Sequence, residues 1–230
     1  MKKYIVPAVC MIIGLSGCFA TMPPPVKDTL LIEKTAEDEK KLAKIEDEIV
    51  VINQENNKIK DSLKITSQKE VISSKEITSL EKEKSLLEEK KKLYVISNDT
   101  KALADVEKAM VDNQQKINLE KINREYLQAR RDYEKSGIEL KEAELAAKIA
   151  ELNFEKAKIA RAYQDRTMGE APVDPKTGKK DDKGRIDVSE YEKYLESRKE
   201  KVTQSRQYHL KVTDTFKAAE SKLNESGYGK

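Results

Sequence analysis

Hydrophobic residues recur at alternating spacings of three and four along most of this chain, the heptad pattern of a coiled coil. In the first stretch, position a repeats every seven residues from Leu42 and position d every seven from Ile45. The apolar members of this frame are Leu42, Ile45, Ile49, Ile52, Ile59, Leu63, Ile77, Leu80, Leu87 and Tyr94. The polar members are Asn56, Thr66, Glu70, Ser73, Lys84 and Lys91. We interpret Asn56 either as a residue that selects register or partner, or as a tolerated polar position.

The pattern stops at residues 97–100, Ser-Asn-Asp-Thr, which predicts a turn followed by a helix N-cap. A second helix is expected up to Met168, with large residues at position a and mostly small ones at position d. These are Leu119, Tyr126, Tyr133, Leu140, Ala147 and Phe154 at a, and Ile122, Ala129, Ser136, Ala143, Ala150 and Ala157 at d. A second apolar stripe contains Ile138, Leu145, Leu152 and Ile159. A helix with two apolar seams needs two neighbours, or one neighbour and a partner molecule.

Residues 169–187 contain Pro172, Pro175, Gly178 and Gly184, which predicts a loop. A third helix is expected over 188–226, with Val188, Leu195, Val202, His209, Phe216 and Leu223 at position a. We expect it to be the second neighbour of the second helix. The predicted fold is therefore all-α: an antiparallel helical hairpin over 30–168 with its tip near 97–100, plus one packed helix and a short tail, 227–230. At roughly 1.5 Å per residue, the hairpin should be about 100 Å long.

Composition supports this fold. Of 230 residues, 38% are charged and 5% aromatic, with eight Gly, six Pro and no Trp. This composition disfavours a β-rich fold or a nucleotide-binding α/β enzyme, and it is typical of long solvated helices. No nucleophile motif or Gly-rich phosphate loop accompanies the single histidine, so we expect no enzymatic activity and no cofactor. Removal of the N-terminal signal described below takes away Lys2 and Lys3 and leaves a nearly neutral chain, which disfavours nucleic-acid binding.

The N-terminus has the features of an export signal. Met1-Lys2-Lys3 precedes an apolar run that is too short to span a bilayer. The run ends in Leu15-Ser16-Gly17-Cys18, which resembles the lipobox of bacterial lipoprotein precursors. The resemblance implies cleavage after residue 17. It also implies diacylglycerol on the Cys18 sulfur and a fatty acid such as palmitate on its new amino group, so that these acyl chains attach the protein to the membrane. An ordinary signal peptide with an incidental cysteine is the alternative.

The resemblance also suggests a location. Phe19 follows the cysteine, and by the sorting rule of enteric bacteria a residue other than Asp implies the outer membrane, with the body facing the periplasm or the cell exterior. Residues 18–29, with Pro23-Pro24-Pro25, are expected to form a Pro-rich stalk between the lipidated cysteine and the helical body.

Three candidate sites remain. Residues 179–190 resemble an EF-hand loop, with Asp181, Asp187 and Glu190 at ligand positions, but Lys179 and Lys183 stand where oxygen ligands are expected. The alternative is a turn before a helix N-terminus. His209 lies in a seam, where a packed and hydrogen-bonded histidine is the expected state. The C-terminal Tyr228-Gly229-Lys230 resembles the tail of murein lipoprotein, which implies attachment of Lys230 to peptidoglycan; the alternative is a frayed tail.

Together these features predict a lipid-anchored envelope protein that acts as a structural, scaffold or interaction component through its coiled-coil rod. Its partners would be envelope proteins, or a second copy of the chain that associates through the coiled coil. The alternative function is a periplasmic holdase-type chaperone with helical prongs.

Overall fold

The computed structural model describes residues 21–169 and 184–228. Three long helices, α1 (Ala36–Ser97), α2 (Thr100–Met168) and α3 (Val188–Glu225), follow a single 3₁₀ turn at Asp28–Leu30. No strand occurs within these described ranges. The predicted all-α fold, with two long packed helices and a third helix, is confirmed.

Helices α1 and α2 form an antiparallel hairpin. Near the start of α1, Lys41 Nζ lies 2.7 Å from a carboxylate oxygen of Glu155; near its end, Lys91 Nζ lies 2.8 Å from Glu107. Residues later in α1 thus pair with residues earlier in α2. With 62 and 69 residues in the two helices, the hairpin is about 100 Å long.

Local hydrogen bonds fix where the helices begin and turn. Thr35 and Asp38 form a capping box, in which the Thr35 hydroxyl accepts from Asp38 N at 3.1 Å and Thr35 N donates to the Asp38 carboxylate at 3.0 Å. At the other end of α1, Asn98 adopts the left-handed conformation (φ 54°, ψ 28°). Asp99 then caps α2 by accepting a hydrogen bond from Ala102 N at 3.0 Å. Two residues therefore reverse the chain.

The buried face of α1 coincides with the heptad frame read from the sequence. All of its buried residues occupy positions a or d: Leu42, Ile45, Asn56, Thr66, Ser73, Ile77, Leu80 and Leu87. Three of these eight are polar, so the seam is less apolar than that of a leucine zipper. Stability must therefore come in part from polar contacts between the helices.

Helix α3 packs on a different face of α2 and runs antiparallel to it. Ala150 of α2 is buried against Tyr194 and Leu195 of α3, with Phe154 at the edge of this cluster. Small d residues let the two backbones approach closely. In the described residues, α1 and α3 have no Cα atoms within 8 Å of each other, so α2 is the central helix. The expectation that α2 has two neighbours agrees with this arrangement.

The start of the described chain is packed on the base of the bundle. Pro23 is buried, and the Tyr191 hydroxyl donates to the Pro24 carbonyl at 2.5 Å. Nearby, the Gln164 side chain bonds both the Gly184 carbonyl and Ile186 N, at 3.3 and 2.9 Å. This part of the predicted stalk is therefore attached to the helices, because the tyrosine covers the proline segment and satisfies one of its carbonyls.

Candidate interaction surfaces

The structure describes only some of the candidate residues that the sequence suggested. Cys18, Asp181 and Lys230 lie outside the described residues. Asp187 is the N-cap of α3 and accepts hydrogen bonds from Ser189 N and Oγ at 2.9 and 2.7 Å, which lower the pKa of its carboxyl. Glu190 lies in the first turn of α3 and is exposed. Asp187 and Glu190 thus occupy a helix N-terminus, which is the alternative to the EF-hand interpretation. No group of three potential metal ligands occurs in the described part of the chain.

His209 lies in the α2–α3 interface. Its Nδ1 is 2.8 Å from Ser136 Oγ, and its ring stacks on Tyr133 with centroids 4.9 Å apart. Burial lowers the pKa of His209, opposed by the nearby Glu144 carboxylate. The contacts are those of a packed, hydrogen-bonded side chain.

An aromatic cluster continues from this histidine along the interface. Phe216 stacks on Tyr133 at 5.0 Å and contacts Tyr126 at 5.7 Å. Such ring pairs contribute beyond their buried area. These contacts hold the C-terminal half of α3 against α2, where the facing residues of α2 include the large Tyr126 and Tyr133.

Beside the cluster, the three helices enclose an open niche of about 600 Å³, hereafter the junction niche. Its wall on α2 contains Gly137, whose Cα faces His209 and Ile59. An added Cβ would lie 3.5 Å from His209 Cε1 and 3.7 Å from Ile59 Cδ1, which are ordinary contact distances. Gly inside a helix costs about 0.5–1 kcal/mol relative to Ala. Gly137 therefore weakens α2 at a place where alanine would fit.

A buried carboxylate forms one wall of the niche. Glu134 is only 5% exposed, and its Oε1 accepts hydrogen bonds from Ser62 (2.6 Å), Thr66 (3.1 Å) and Arg130 Nε (3.1 Å). Its Oε2 has no hydrogen-bond partner among the residues that the structure describes. Burial opposes the charge on Arg130, but its hydrogen bonds to Glu134 and Tyr126 outweigh burial and raise its pKa.

Sequence reasoning singled out neither Gly137 nor Glu134. The signals were present, because an isolated Gly interrupts a long helical pattern and Glu134 stands seven residues after the buried Leu127. Their juxtaposition, however, depends on how α1 and α3 pack against α2.

Beyond α3 the hairpin continues as two helices. The Tyr228 hydroxyl, just after α3, donates to Glu120 at 2.8 Å and accepts from Asn123 at 2.9 Å. Burial and the Glu120 carboxylate raise the pKa of Tyr228 to about 12. Residues of α2 before Glu120 and the facing part of α1 form a segment about 30 Å long, hereafter the prong.

The prong ends in exposed apolar side chains. Leu93, Val95 and Ile96 are 64%, 54% and 79% exposed. A shallow groove of about 560 Å³ lies beside them, lined by Glu88, Lys91, Lys92, Val95 and Ile96. We call these apolar residues and their groove the tip surface.

Helix α1 carries a second exposed stripe away from its seam. Its members lie seven or fourteen residues apart and are more than half exposed: Val51, Ile65, Ile72, Leu86 and Leu93. The stripe is one residue wide for most of its length, since the positions beside it are largely polar.

Comparison with known proteins found no match among protein-family models, curated proteins or solved structures. Within residues 21–169 and 184–228, no helix combines the length and the apolar character needed to cross a membrane.

Proposed function

We propose that this protein is an envelope lipoprotein, anchored through Cys18, whose helical rod presents the tip surface to a protein partner. The observation that supports this most directly is the unsupported prong, which ends in a cluster of exposed apolar residues. The lipobox-like Leu15-Ser16-Gly17-Cys18 supports the anchoring. The function is that of a scaffold or interaction component.

The tip surface differs from the apolar side chains that any protein exposes. Scattered exposed hydrophobic residues need no explanation, whereas contiguous ones mark interaction sites. Leu93, Val95 and Ile96 lie within four residues, and Tyr94 between them occupies the inward d position. The three therefore cannot turn inward without displacing the seam, which supports a partner that covers them.

The charges near the tip favour a protein over an anionic lipid surface. Lys90, Lys91 and Lys92 directly follow Glu88 and Glu89, and Lys91 is already paired with Glu107 at 2.8 Å. A basic amphipathic surface for anionic lipid would carry an excess of cations. An apolar groove with a mixed polar rim is typical of a protein interface.

The position of the tip fits a spacer role. Arg166, at the end of α2, lies 3.6 Å from Glu33, just before α1, so both helices return to the same base. The N-terminal segment that leads to Cys18 enters at this base, while the tip stands about 100 Å away. A lipid anchor at one end and an apolar surface at the other would let the rod reach a partner distant from its membrane.

The test is photo-crosslinking in intact cells from a reactive amino acid at Ile96. A matched probe at Val50, which is 52% exposed on α1 but lies near the base, serves as the control. We expect one or two recurrent envelope proteins from position 96, absent from position 50 and lost when Cys18→Ala removes the anchor. With the reactive amino acid kept at position 96, the additional change Val95→Lys, in the same groove, should abolish the product.

Other results would overturn the proposal. A broad set of unrelated exported proteins, captured from both positions, would indicate the holdase alternative. Purified protein should then also slow the aggregation of an unrelated unfolded protein, which a scaffold should not do. Absence of any product from position 96, with normal abundance and membrane fractionation, would exclude the tip surface as the contact.

A further inference from the structure

The junction niche is an unusual feature for a rod. Nearer the base, the α2–α3 interface is closed, with Ala150 only 1% exposed against Tyr194 and Leu195. At the niche, Gly137 leaves a space that a methyl group would enter at ordinary contact distances. A coiled coil gains nothing in packing from this vacancy, since Gly is the weaker helix former.

The niche has the size and lining of a small-molecule site. Its volume of about 600 Å³ falls in the range of pockets that hold drug-sized ligands. One side is apolar, with Ile59, Leu140 and Phe216, and the rings of Tyr133 and His209 are already stacked in place. A flat apolar group could lie against this surface without rearranging it.

Hydrogen-bond donors with spare capacity lie on the rim. Lys58 makes no hydrogen bond or ion pair with any described residue. Arg130 uses Nε on Glu134 and Nη1 on Tyr126, which leaves its Nη2 without a partner in the described part of the chain. Lys141, by contrast, is held by Glu55 and Glu144 at 2.8 and 3.0 Å.

The two acids of the niche leave Lys58 as a cation without an ion pair to the described residues. Glu134 is buried and already bonded to Arg130, Ser62 and Thr66, so it and Arg130 neutralise each other, and Arg130 offers a ligand only its remaining Nη2 donors. Glu220 lines the niche from α3, whereas Lys58 lines it from α1. The α1–α2 rim is therefore the side that favours an anion, and the α3 rim disfavours one.

From this geometry we infer that the junction niche binds a small ligand with a flat apolar or aromatic body and a carboxylate. The body lies against Phe216, Tyr133 and Leu140, and the carboxylate meets Lys58 and Arg130. This site is independent of the tip surface, which lies at the end of the prong.

The probe is indole-3-acetate, compared with neutral indole-3-acetamide and cationic tryptamine. The chain contains no Trp, so the anisotropy of indole fluorescence reports the probe alone. The full mature chain is used in a nonionic detergent, with protein-free micelles as the blank. We expect saturable binding of indole-3-acetate with a Kd of about 1 mM or below, and at least threefold weaker binding of the other two probes.

Variants locate the site. Lys58→Gln should weaken indole-3-acetate binding about threefold or more, as expected for loss of one partly exposed ion pair, whereas Lys69→Gln on the same helix should not. Glu220→Gln should leave binding unchanged or tighten it. Gly137→Leu should abolish binding. Gly137→Ala, which the backbone accommodates, should weaken it while the helix content measured by circular dichroism is retained.

Three outcomes would overturn the inference. Equal binding of the amide would remove the carboxylate requirement. Binding that survives both Gly137 variants would place the ligand elsewhere. No saturable binding of any probe to the wild-type chain would mean that the niche is only a packing defect. None of these results affects crosslinking from the tip, so failure here is distinguishable from failure of the proposed function.

Discussion

The buried carboxylate of Glu134 allows a sharp test of how the α1–α2 seam is held. We compare Arg130→Met, Glu134→Leu and the double variant. The expectation is asymmetric: removal of the arginine should destabilise the protein more than removal of the glutamate. The reason is that the first change leaves a buried charge without its cation, whereas the second removes the charge itself.

The magnitudes follow from the contacts. Arg130→Met deletes a charge-assisted hydrogen bond of 3.1 Å to Glu134 Oε1 and leaves only Ser62 and Thr66 as donors. Loss of one partner of a buried pair costs about 3–5 kcal/mol. The Arg130 side chain is 37% exposed, so water can replace part of the bond, and we expect about 2 kcal/mol.

Replacing the acid should be almost neutral. Glu134→Leu removes three hydrogen bonds, but it also removes the desolvation of a carboxylate, one oxygen of which has no partner in the described ranges. It adds an apolar side chain to the same face as Leu127. We expect a change within about 1 kcal/mol of wild type, and the double variant should match the Glu134→Leu single variant, giving a coupling energy of about 2 kcal/mol.

Urea unfolding of the chain from residue 19 onward, followed by far-UV circular dichroism, measures these differences. Lys60→Met is the matched control, because Lys60 also bridges α1 to α2, through Glu142 at 2.9 Å, but both side chains are exposed. It should cost about 0.5 kcal/mol or less. The reasoning is refuted if Glu134→Leu costs more than Arg130→Met, or if the coupling energy is near zero.

Three further outcomes are expected. Ala150→Leu should cost about 1–3 kcal/mol by overpacking, because Ala150 is 1% exposed against Tyr194 and Leu195; amide exchange should accelerate in α3 but not at the tip. Burial lowers the pKa of His209 below its ordinary 6.5, so its contribution to stability is complete above pH 6.5 and declines as the pH falls through the folded-state pKa; urea midpoints measured on both sides of 6.5 should show this, and His209→Phe should flatten the dependence. Asn98, at φ 54°, should tolerate Gly, whereas Asn98→Val should lower the free energy of unfolding by about 1–2 kcal/mol; equal thermal stability of the two variants would contradict this.

The helices could be predicted because each carries its own periodic signal. The α1 frame that starts at Leu42 gives every buried position of that helix, including polar Asn56 and Ser73. Burial of Asn56 does not decide between its two interpretations, since its Oδ1 has no partner in the described residues. The turn could also be predicted from the local sequence, because Asn tolerates the left-handed conformation and Asp caps a helix.

The sites could not be predicted in the same way. The junction niche exists because Gly137 on α2 faces Ile59 from α1 and His209 from α3 at the same level. That coincidence depends on two helix registers, and neither is specified by a heptad repeat alone. The attachment of Pro24 to Tyr191 likewise joins residues 167 positions apart. From its sequence alone a Pro-rich segment is interpreted as a spacer, because the surface that it packs on is not visible in the sequence.

The placement of the tip depends on a register that the apolar seam alone would not fix. In the structure Glu48 pairs with Lys148 at 2.6 Å and Glu55 with Lys141 at 2.8 Å, one heptad apart. A slip of one heptad in one direction would place Glu55 opposite Lys148, and in the other Glu48 opposite Lys141, so these pairs tolerate sliding. The first slip, however, brings Glu48 opposite Glu155, and the second brings Glu55 opposite the buried Glu134. Like charges in these positions are unfavourable, and in the second case one lies in the seam. Glu134 therefore acts as a register residue even though it adds little net stability, which is why Glu134→Leu should leave the free energy of unfolding nearly unchanged. In the spacer role proposed above, a fixed register matters more than a stronger seam, because a one-heptad slip would displace the tip by about 10 Å along α2.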